Sequence, residues 1–180
     1  MKRVMITGIT GMIGKHLASV LQKEGCEVAG ISRATSSSRY STVNLPFKHY
    51  AGDIMDRKFL KTAWEDWQPD LVYHLAAQAY NGESWLAEDT TYALNISGSR
   101  NVLEICQEIS HKARIIPACS SAEYGFVPEH LIPIKEDITP LHQIPPYGVS
   151  KASMEMIACQ FHLNYDIDVI LPRLFIHVGP

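Results

Sequence analysis

The sequence predicts an α/β fold, a doubly wound parallel sheet forming a single domain over residues 1–180, and three observations carry that prediction. Short apolar runs alternate with amphipathic helical stretches along the whole chain. The first run, Val4-Met5-Ile6, breaks into glycines at Gly8, Gly11 and Gly14 and passes directly into a helical pattern. Later runs end in small or hydroxyl residues, Ala76-Ala77 and Ser120-Ser121, at the edge where an open parallel sheet receives its ligand.

Composition narrows the function classes. With 180 residues, 46% of them hydrophobic and 19% charged, the chain can bury a sizeable core. A net charge of −3 and a pI near 6.2 give no basis for nucleic acid or an anionic membrane as partner. Cys26, Cys106, Cys119 and Cys159 are scattered, with no CxxC and no His/Cys ligand pair. They read as reduced thiols of a cytoplasmic protein, with no metal site expected. Lys2-Arg3 precedes an apolar run, but the glycines cut that run too short for a signal peptide or a membrane span.

Taken in order, Val4 to Ile6 is a buried strand and the three glycines form its exit. A strand–turn–helix of this kind offers free backbone N–H groups at a helix N-terminus, where a pyrophosphate meets the positive end of the dipole. Gly8 permits the tight turn, Gly11 the close approach of a phosphate, and Gly14 the packing of helix on strand. Ile13, Leu17, Val20 and Leu21 repeat at helical spacing, and Gly25 ends the helix. Cys26 to Ile31 is the second strand. It ends in Ser32-Arg33 with no acidic residue, a pattern that accommodates a ribose 2′-phosphate and favours NADP(H), with NAD(H) as the alternative. Thr35 to Pro46 is a polar loop that a cofactor would order.

Phe47 to Tyr50 is a strand leading into Gly52-Asp53-Ile54. Asp53 either accepts the exocyclic amine of an adenine or caps the next helix, which Asp56 could equally do. Arg57 to Trp67 is a helix with Phe59, Leu60, Ala63, Trp64 and Trp67 as a core stripe. Leu71 to Ala77 reads as a strand buried on both faces, its small end letting a cofactor come close. A loop from Gln78 to Asp89 follows, then a long helix over Thr91 to Ile109. Asn95 is a poor helix former inside that helix and marks a polar contact or a distortion. Arg114 to Cys119 is a strand ending at Ser120-Ser121, and Glu123 to Pro146 is long, proline-rich and irregular. A helix from Tyr147 to about Asn164 and a strand at Asp168 to Leu171 complete the pattern.

Tyr147 and Lys151 lie four apart at a helix start and so share a face. A phenol with a pKa of about 10 is a reluctant acid or base at neutral pH, and a neighbouring ammonium lowers that pKa. The lysine also suits a nicotinamide ribose. Ser120 can donate to a substrate carbonyl opposite the tyrosine, so the trio would polarise a C=O as hydride arrives.

Four stretches carry a family resemblance: Thr7-Gly8-Ile9-Thr10-Gly11-Met12-Ile13-Gly14, His74-Leu75-Ala76-Ala77-Gln78, Ser120-Ser121-Ala122-Glu123-Tyr124-Gly125 and Pro146-Tyr147-Gly148-Val149-Ser150-Lys151-Ala152. In this order they resemble the extended short-chain dehydrogenase/reductases, the NAD-dependent epimerase/dehydratase group that acts on nucleotide sugars. The similarity is greatest to GDP-4-keto-6-deoxy-D-mannose reductases and GDP-mannose 4,6-dehydratases. The resemblance implies a Rossmann fold with catalytic Ser120, Tyr147 and Lys151. It implies cofactor contacts at Gly8, Gly11, Met12, Ile13, Gly14, Ser32, Arg33, Asp53, Ile54, Leu75, Ala76 and Ala77, shared with Tyr147 and Lys151. Gln78, Ser121, Glu123 and His177 are the implied substrate contacts, and a cytoplasmic homodimer paired through the helices at Thr91 and Tyr147 is the implied assembly.

Three departures from the family pattern qualify the activity. Ala122 stands where the dehydratases carry a catalytic Glu, so dehydration is disfavoured, and of the reductases' acidic pair only Glu123 is kept. Ile176 replaces an asparagine that contacts substrate. Family members also continue past this point into a substrate region, so the 180 residues are expected to be either a truncated or incompletely represented enzyme or a naturally shortened relative. The expected activity is NADP(H)-dependent reduction of a nucleotide-activated 4-keto-6-deoxy sugar. The alternatives are a C4 epimerase, a 4,6-dehydratase, or a non-catalytic dinucleotide-binding module.

Overall fold

Strand β1 (Arg3–Thr7) is buried on both faces, and its alternation sets the two layers of the molecule. Val4 and Ile6 pack with Ile9, Ala18 and Val28 on one side, whereas Met5 joins Ile31, Trp64, Val72, Val102 and Ile115 on the other. A computed structural model of the chain describes residues 1–33, 47–137, 139, 142 and 145–179. The polar loop expected from Thr35 to Pro46 lies outside the described residues, as do Pro140 and Pro180.

After β1 come α1 (Met12–Lys23), β2 (Glu27–Ser32), β3 (Lys48–Ala51), α2 (Arg57–Trp67) and β4 (Leu71–His74). Then follow α3 (Asn81–Ser84), α4 (Glu88–Tyr92), α5 (Ser99–Ile109), β5 (Arg114–Pro117), β6 (Cys119–Ser120), α6 (Pro146–Tyr165) and β7 (Arg173–Leu174). Five strands form one parallel sheet in the order β3-β2-β1-β4-β5. The order reverses between β1 and β4, and outside their carboxyl ends such a sheet leaves a crevice. The doubly wound prediction therefore holds. No helix among the described residues is long and apolar enough to cross a membrane.

Several predicted boundaries shift for physical reasons. β4 stops at His74 rather than Ala77, because Thr7 ends β1 and the chain beyond it turns away with Gly8. Helix α2 is capped by Asp56, whose carboxylate accepts from the N–H groups of Lys58 and Phe59, so Asp53 is not the cap. The single helix expected from Thr91 starts at Glu88 and contains a π-helical stretch at Ala93–Gly98, centred on Asn95. The strand expected over Asp168 to Leu171 is reduced to one bridge, Ile115 to Val169. Pro172 has no N–H to extend that ladder, so pairing resumes beyond it as β7 against β6. Ser121–Glu123 and Glu129–Leu131 form 3₁₀ turns in the segment expected to be irregular.

Candidate active site

A cavity of about 800 Å³ runs along the carboxyl edge of the sheet and receives residues from both ends of the chain. That volume lies in the range of ordinary ligand pockets. Gly8, Gly11, Met12, Ile13 and Gly14 line one wall. Gly8 has φ of 74°, and a Cβ there would stand 2.8 Å from the Ala76 nitrogen. A Cβ on Gly14 would stand 2.6 Å from the Gly8 carbonyl oxygen, so this turn closes only with glycine at both positions. Helix α1 opens at Gly11 with no side-chain cap and no acidic residue in its first turn. Its leading N–H groups therefore remain available to an anion. The donor set and the tight glycine cradle fit a dinucleotide pyrophosphate.

Ser32, Arg33, Asp53 and Ile54 line one end of the cavity. Ser32 shares a 2.8 Å hydrogen bond with His49 of β3. Asp53 accepts from the Met55 N–H at 2.9 Å, and it is the one carboxylate among the described lining residues. Leu75, Ala76 and Ala77 form the floor. At the other end stand Ser120, Ser121 and Ala122 with Tyr147 and Lys151, and His177 lies near the mouth beside Ile176, which is 91% exposed.

Two of the implied substrate residues stand outside the cavity lining. Gln78 does not line the cavity: its side-chain amide donates to the Tyr80 carbonyl at 3.0 Å, and its backbone is clasped by Asn95. Glu123 is fully buried behind the wall. Its Oε1 accepts the Ser120 N–H at 2.7 Å, and the Ser120 hydroxyl oxygen in turn accepts from the Ala122 N–H. That reciprocal pair is a capping box, and it explains why a carboxylate in this turn faces the interior.

The tuning of Tyr147 also differs from expectation. Burial pushes the phenol above its ordinary pKa, and a hydrogen bond with the Ser120 side chain opposes the rise. Lys151 is almost fully buried, and its Nζ donates to the Ala118 carbonyl at 2.7 Å and lies 5.9 Å from the Tyr147 ring centroid. Burial lowers the Lys151 ammonium to about 8, with Cys119 and Glu123 working against that fall. The lysine thus remains mostly charged at neutral pH, but its partner here is a backbone carbonyl rather than the phenol.

Sequence reasoning missed the supports behind these groups. Asn95, flagged only as a misfit, donates to Ser150 Oγ at 2.9 Å and to the Gln78 carbonyl at 3.0 Å. Ser150 donates to the Tyr147 carbonyl, so one amide joins the segment just beyond the cavity floor to the helix that carries Tyr147 and Lys151. Glu155 lies four residues past Lys151 on the same face of α6, a spacing that could have found it. Cys119, Glu123 and Glu155 gather within 4.8 Å of one another from three elements. Arg173 binds both Glu155 oxygens and lies 3.6 Å from Glu123, so a guanidinium supplies the positive charge a metal would bring.

The family described as "NAD dependent epimerase/dehydratase family" matches residues 4–180. Among curated relatives, a GDP-mannose 4,6-dehydratase of Yersinia enterocolitica is 33% identical, covering 100% of this chain and 51% of its own length. A GDP-6-deoxy-D-mannose reductase of Pseudomonas aeruginosa is 28% identical over 99% of this chain and 53% of its own. Among solved structures, UDP-glucose 4-epimerase from Brucella ovis in complex with NAD superposes with a TM-score of 0.88 at 27% identity, covering 97% of this chain and 52% of that one. The chain spans about half the length of the curated relatives it matches.

Proposed function

The chain belongs to the NAD dependent epimerase/dehydratase family, and from that premise we propose that it is an NADP(H)-dependent reductase of a nucleotide-activated 4-keto-6-deoxy sugar. The observation that carries the reading is the convergence of Ser120, Tyr147 and Lys151 on the same cavity as the glycine turn of β1 and α1. In this reading the first-turn N–H groups of α1 hold the pyrophosphate, Ser32 and Arg33 hold the 2′-phosphate, and Asp53 and Ile54 meet the adenine. The cofactor, when bound, supplies hydride to the C4 carbonyl carbon. Ser120 donates a hydrogen bond to the carbonyl oxygen, Tyr147 delivers the proton that completes the alcohol, and Lys151 holds the ribose. Ser121 and His177 are the substrate contacts retained.

Reduction is favoured over dehydration by where the acids stand. Removing a C5 proton calls for a carboxylate beside the sugar, yet Ala122 lines that wall, Glu123 is buried behind it, and Asp53 belongs to the opposite end. A C4 epimerase is the second reading, supported by the likeness to the Brucella ovis enzyme. The same reading includes a cytoplasmic homodimer.

Titrating the chain with NADPH and with NADH while following its melting temperature tests the cofactor first. Saturation at about a hundred times the Kd adds about 2.7 kcal/mol, a rise of roughly 5–10 °C for a chain of this size. NADPH oxidation in step with loss of a 4-keto-6-deoxy sugar nucleotide is the expected turnover. Interconversion of C4 epimers without net cofactor consumption establishes the epimerase instead, and no shift with either nucleotide overturns both.

A further inference from the structure

We propose that Glu123, Glu155 and Arg173 form a proton-sharing clamp that positions Ser120 for catalysis. The inference rests on the reductase reading only in taking Ser120 as the hydroxyl that meets the carbonyl. Glu123 faces two ways. Its Oε1 takes the Ser120 N–H at 2.7 Å, while its Oε2 is buried with no hydrogen-bond partner among the described residues, the Glu155 carboxyl standing within 4.8 Å of this carboxyl. Arg173 commits Nε and Nη2 to Glu155, at 2.9 and 2.5 Å, and stands 3.6 Å from Glu123 Oε2, beyond hydrogen-bond reach. Nη1 is spent on the Tyr124 hydroxyl and the Glu136 carbonyl.

One guanidinium therefore faces two carboxyl groups, Glu123 fully buried and Glu155 mostly so. Two ionised carboxylates would leave one charge uncompensated away from water, a state proteins avoid by binding a proton. Burial and the neighbouring Glu155 carboxyl both raise Glu123 above the ordinary carboxylate range. Burial also works to raise Glu155, but Arg173 and the Glu123 carboxyl hold it below that range. The consistent assignment is a neutral Glu123 donating to an ionised Glu155 that grips Arg173. The other groups facing Glu123 are the Cys119 thiol of β6, itself raised by burial, and Lys151 and Tyr147 of α6.

Loss of the shared proton adds a negative charge behind Ser120. That charge repels Glu155, loosens the grip on the turn, and, once present, raises the phenol of Tyr147. Turnover should therefore fall on an alkaline limb that belongs to the clamp. Because Arg173 opens the Leu174 to His177 wall of the cavity, the clamp also ties that wall to the catalytic serine.

The test compares Glu123→Gln and Glu123→Leu with the wild-type chain in pH profiles of kcat, alongside NADPH melting shifts. The amide of Gln still accepts from Ser120 and donates to Glu155, so Glu123→Gln should keep kcat at neutral pH and lose the alkaline limb. Glu123→Leu should lower kcat by on the order of tenfold to a hundredfold, as displaced catalytic groups do, with the NADPH shift retained. An unchanged alkaline limb in Glu123→Gln overturns the clamp, as does full kcat in Glu123→Leu. Infrared spectra decide it independently of turnover. A protonated carboxyl band at neutral pH that disappears in Glu123→Gln supports it, and absence of the band from the wild type overturns it. If the wild-type chain turns over no substrate at any pH, the reductase reading fails and the infrared result judges the clamp alone.

Discussion

The two ends of the cavity are built on opposite principles. The glycine turn is made of backbone, and a single stretch of seven residues, Gly8 to Gly14, supplies it. The Ser120 end is made of side chains brought from β6, the 3₁₀ turn, α6 and β7, and it holds the buried ionisable groups Lys151 and Glu123 with the part-buried Glu155. A backbone site is set by sterics and survives any neighbour that leaves the turn alone. A side-chain site depends on supports that are themselves replaceable, so its failures are graded and pH-dependent.

The largest expected effect breaks this comparison at the side-chain end. Tyr147→Phe should lower turnover by roughly 10²- to 10⁴-fold, the usual worth of a positioned proton donor. The NADPH-induced rise in melting temperature should stay as in the wild type. A variant that keeps its turnover would remove Tyr147 from the chemistry. At the backbone end, Gly14→Ala should do the reverse. Its Cβ would meet Gly8 O at 2.6 Å and Ile9 Cα at 2.7 Å, atoms with little freedom to move. Overpacking of this kind costs about 1–3 kcal/mol, and a distorted turn should also forfeit the cofactor's contribution of about 2.7 kcal/mol at high saturation. Paired melting curves with and without NADPH read both losses, and a normal shift in Gly14→Ala would mean that the pyrophosphate binds elsewhere.

This contrast also explains what the sequence made legible. The glycine spacing, the parallel strand runs and the Tyr147–Lys151 pair are local patterns, and each reappears in the structure within a few residues of its predicted place. The inward direction of Glu123 was hidden because it depends on a capping box with Ser120, which a one-dimensional pattern does not reveal. The clasp on Gln78 was hidden because Asn95, 17 residues away, fixes its backbone. The strand at Asp168 to Leu171 shrank to a bridge because Pro172 interrupts it, a breaker visible in the sequence but outweighed there by the apolar run. Two supports of the side-chain end, Arg173 and Asn95, were illegible because they act across long separations, whereas Glu155 carried the helical spacing from Lys151 as a signal.

The seam between the two ends sharpens the comparison further. Asn95 is fully buried and joins Gln78, beyond the cavity floor, to Ser150 on the helix of Tyr147 and Lys151. Asn95→Ala leaves the Gln78 N–H and carbonyl unpaired, which costs about 1–3 kcal/mol when such groups stay buried. Both NADPH binding and turnover should weaken together, because the amide serves both ends. Loss of one without the other would show that the ends are held independently.

The effect confined to acid, a stability slope with no bearing at neutral pH, comes from His74 at the same seam. His74 Nδ1 lies 2.7 Å from the Thr7 hydroxyl and Nε2 lies 2.8 Å from the Ser99 hydroxyl. Ser99 spends its proton on the Asn95 carbonyl, so it accepts from His74, and Nε2 carries the hydrogen. Nδ1 is then the acceptor of the Thr7 proton, while the Thr7 oxygen takes the Ala76 N–H. The neutral ring is fully satisfied and has no place for a second proton. Burial, with the Lys151 charge, accordingly lowers its pKa from 6.5 to about 3. A group depressed in the folded state contributes stability above its unfolded pKa and loses it as pH falls towards the folded value. Between 6.5 and about 3 the unfolded chain holds the extra proton, so stability should fall with pH by up to about 1.4 kcal/mol per unit from this residue. Urea midpoints across that window, compared with those of His74→Gln, isolate the slope. Gln can neither titrate nor acquire a charge, so the variant should begin less stable and decline less steeply in acid. Parallel declines in the two proteins would mean that His74 protonates freely when folded, and that the Thr7–His74–Ser99 chain does not hold the seam.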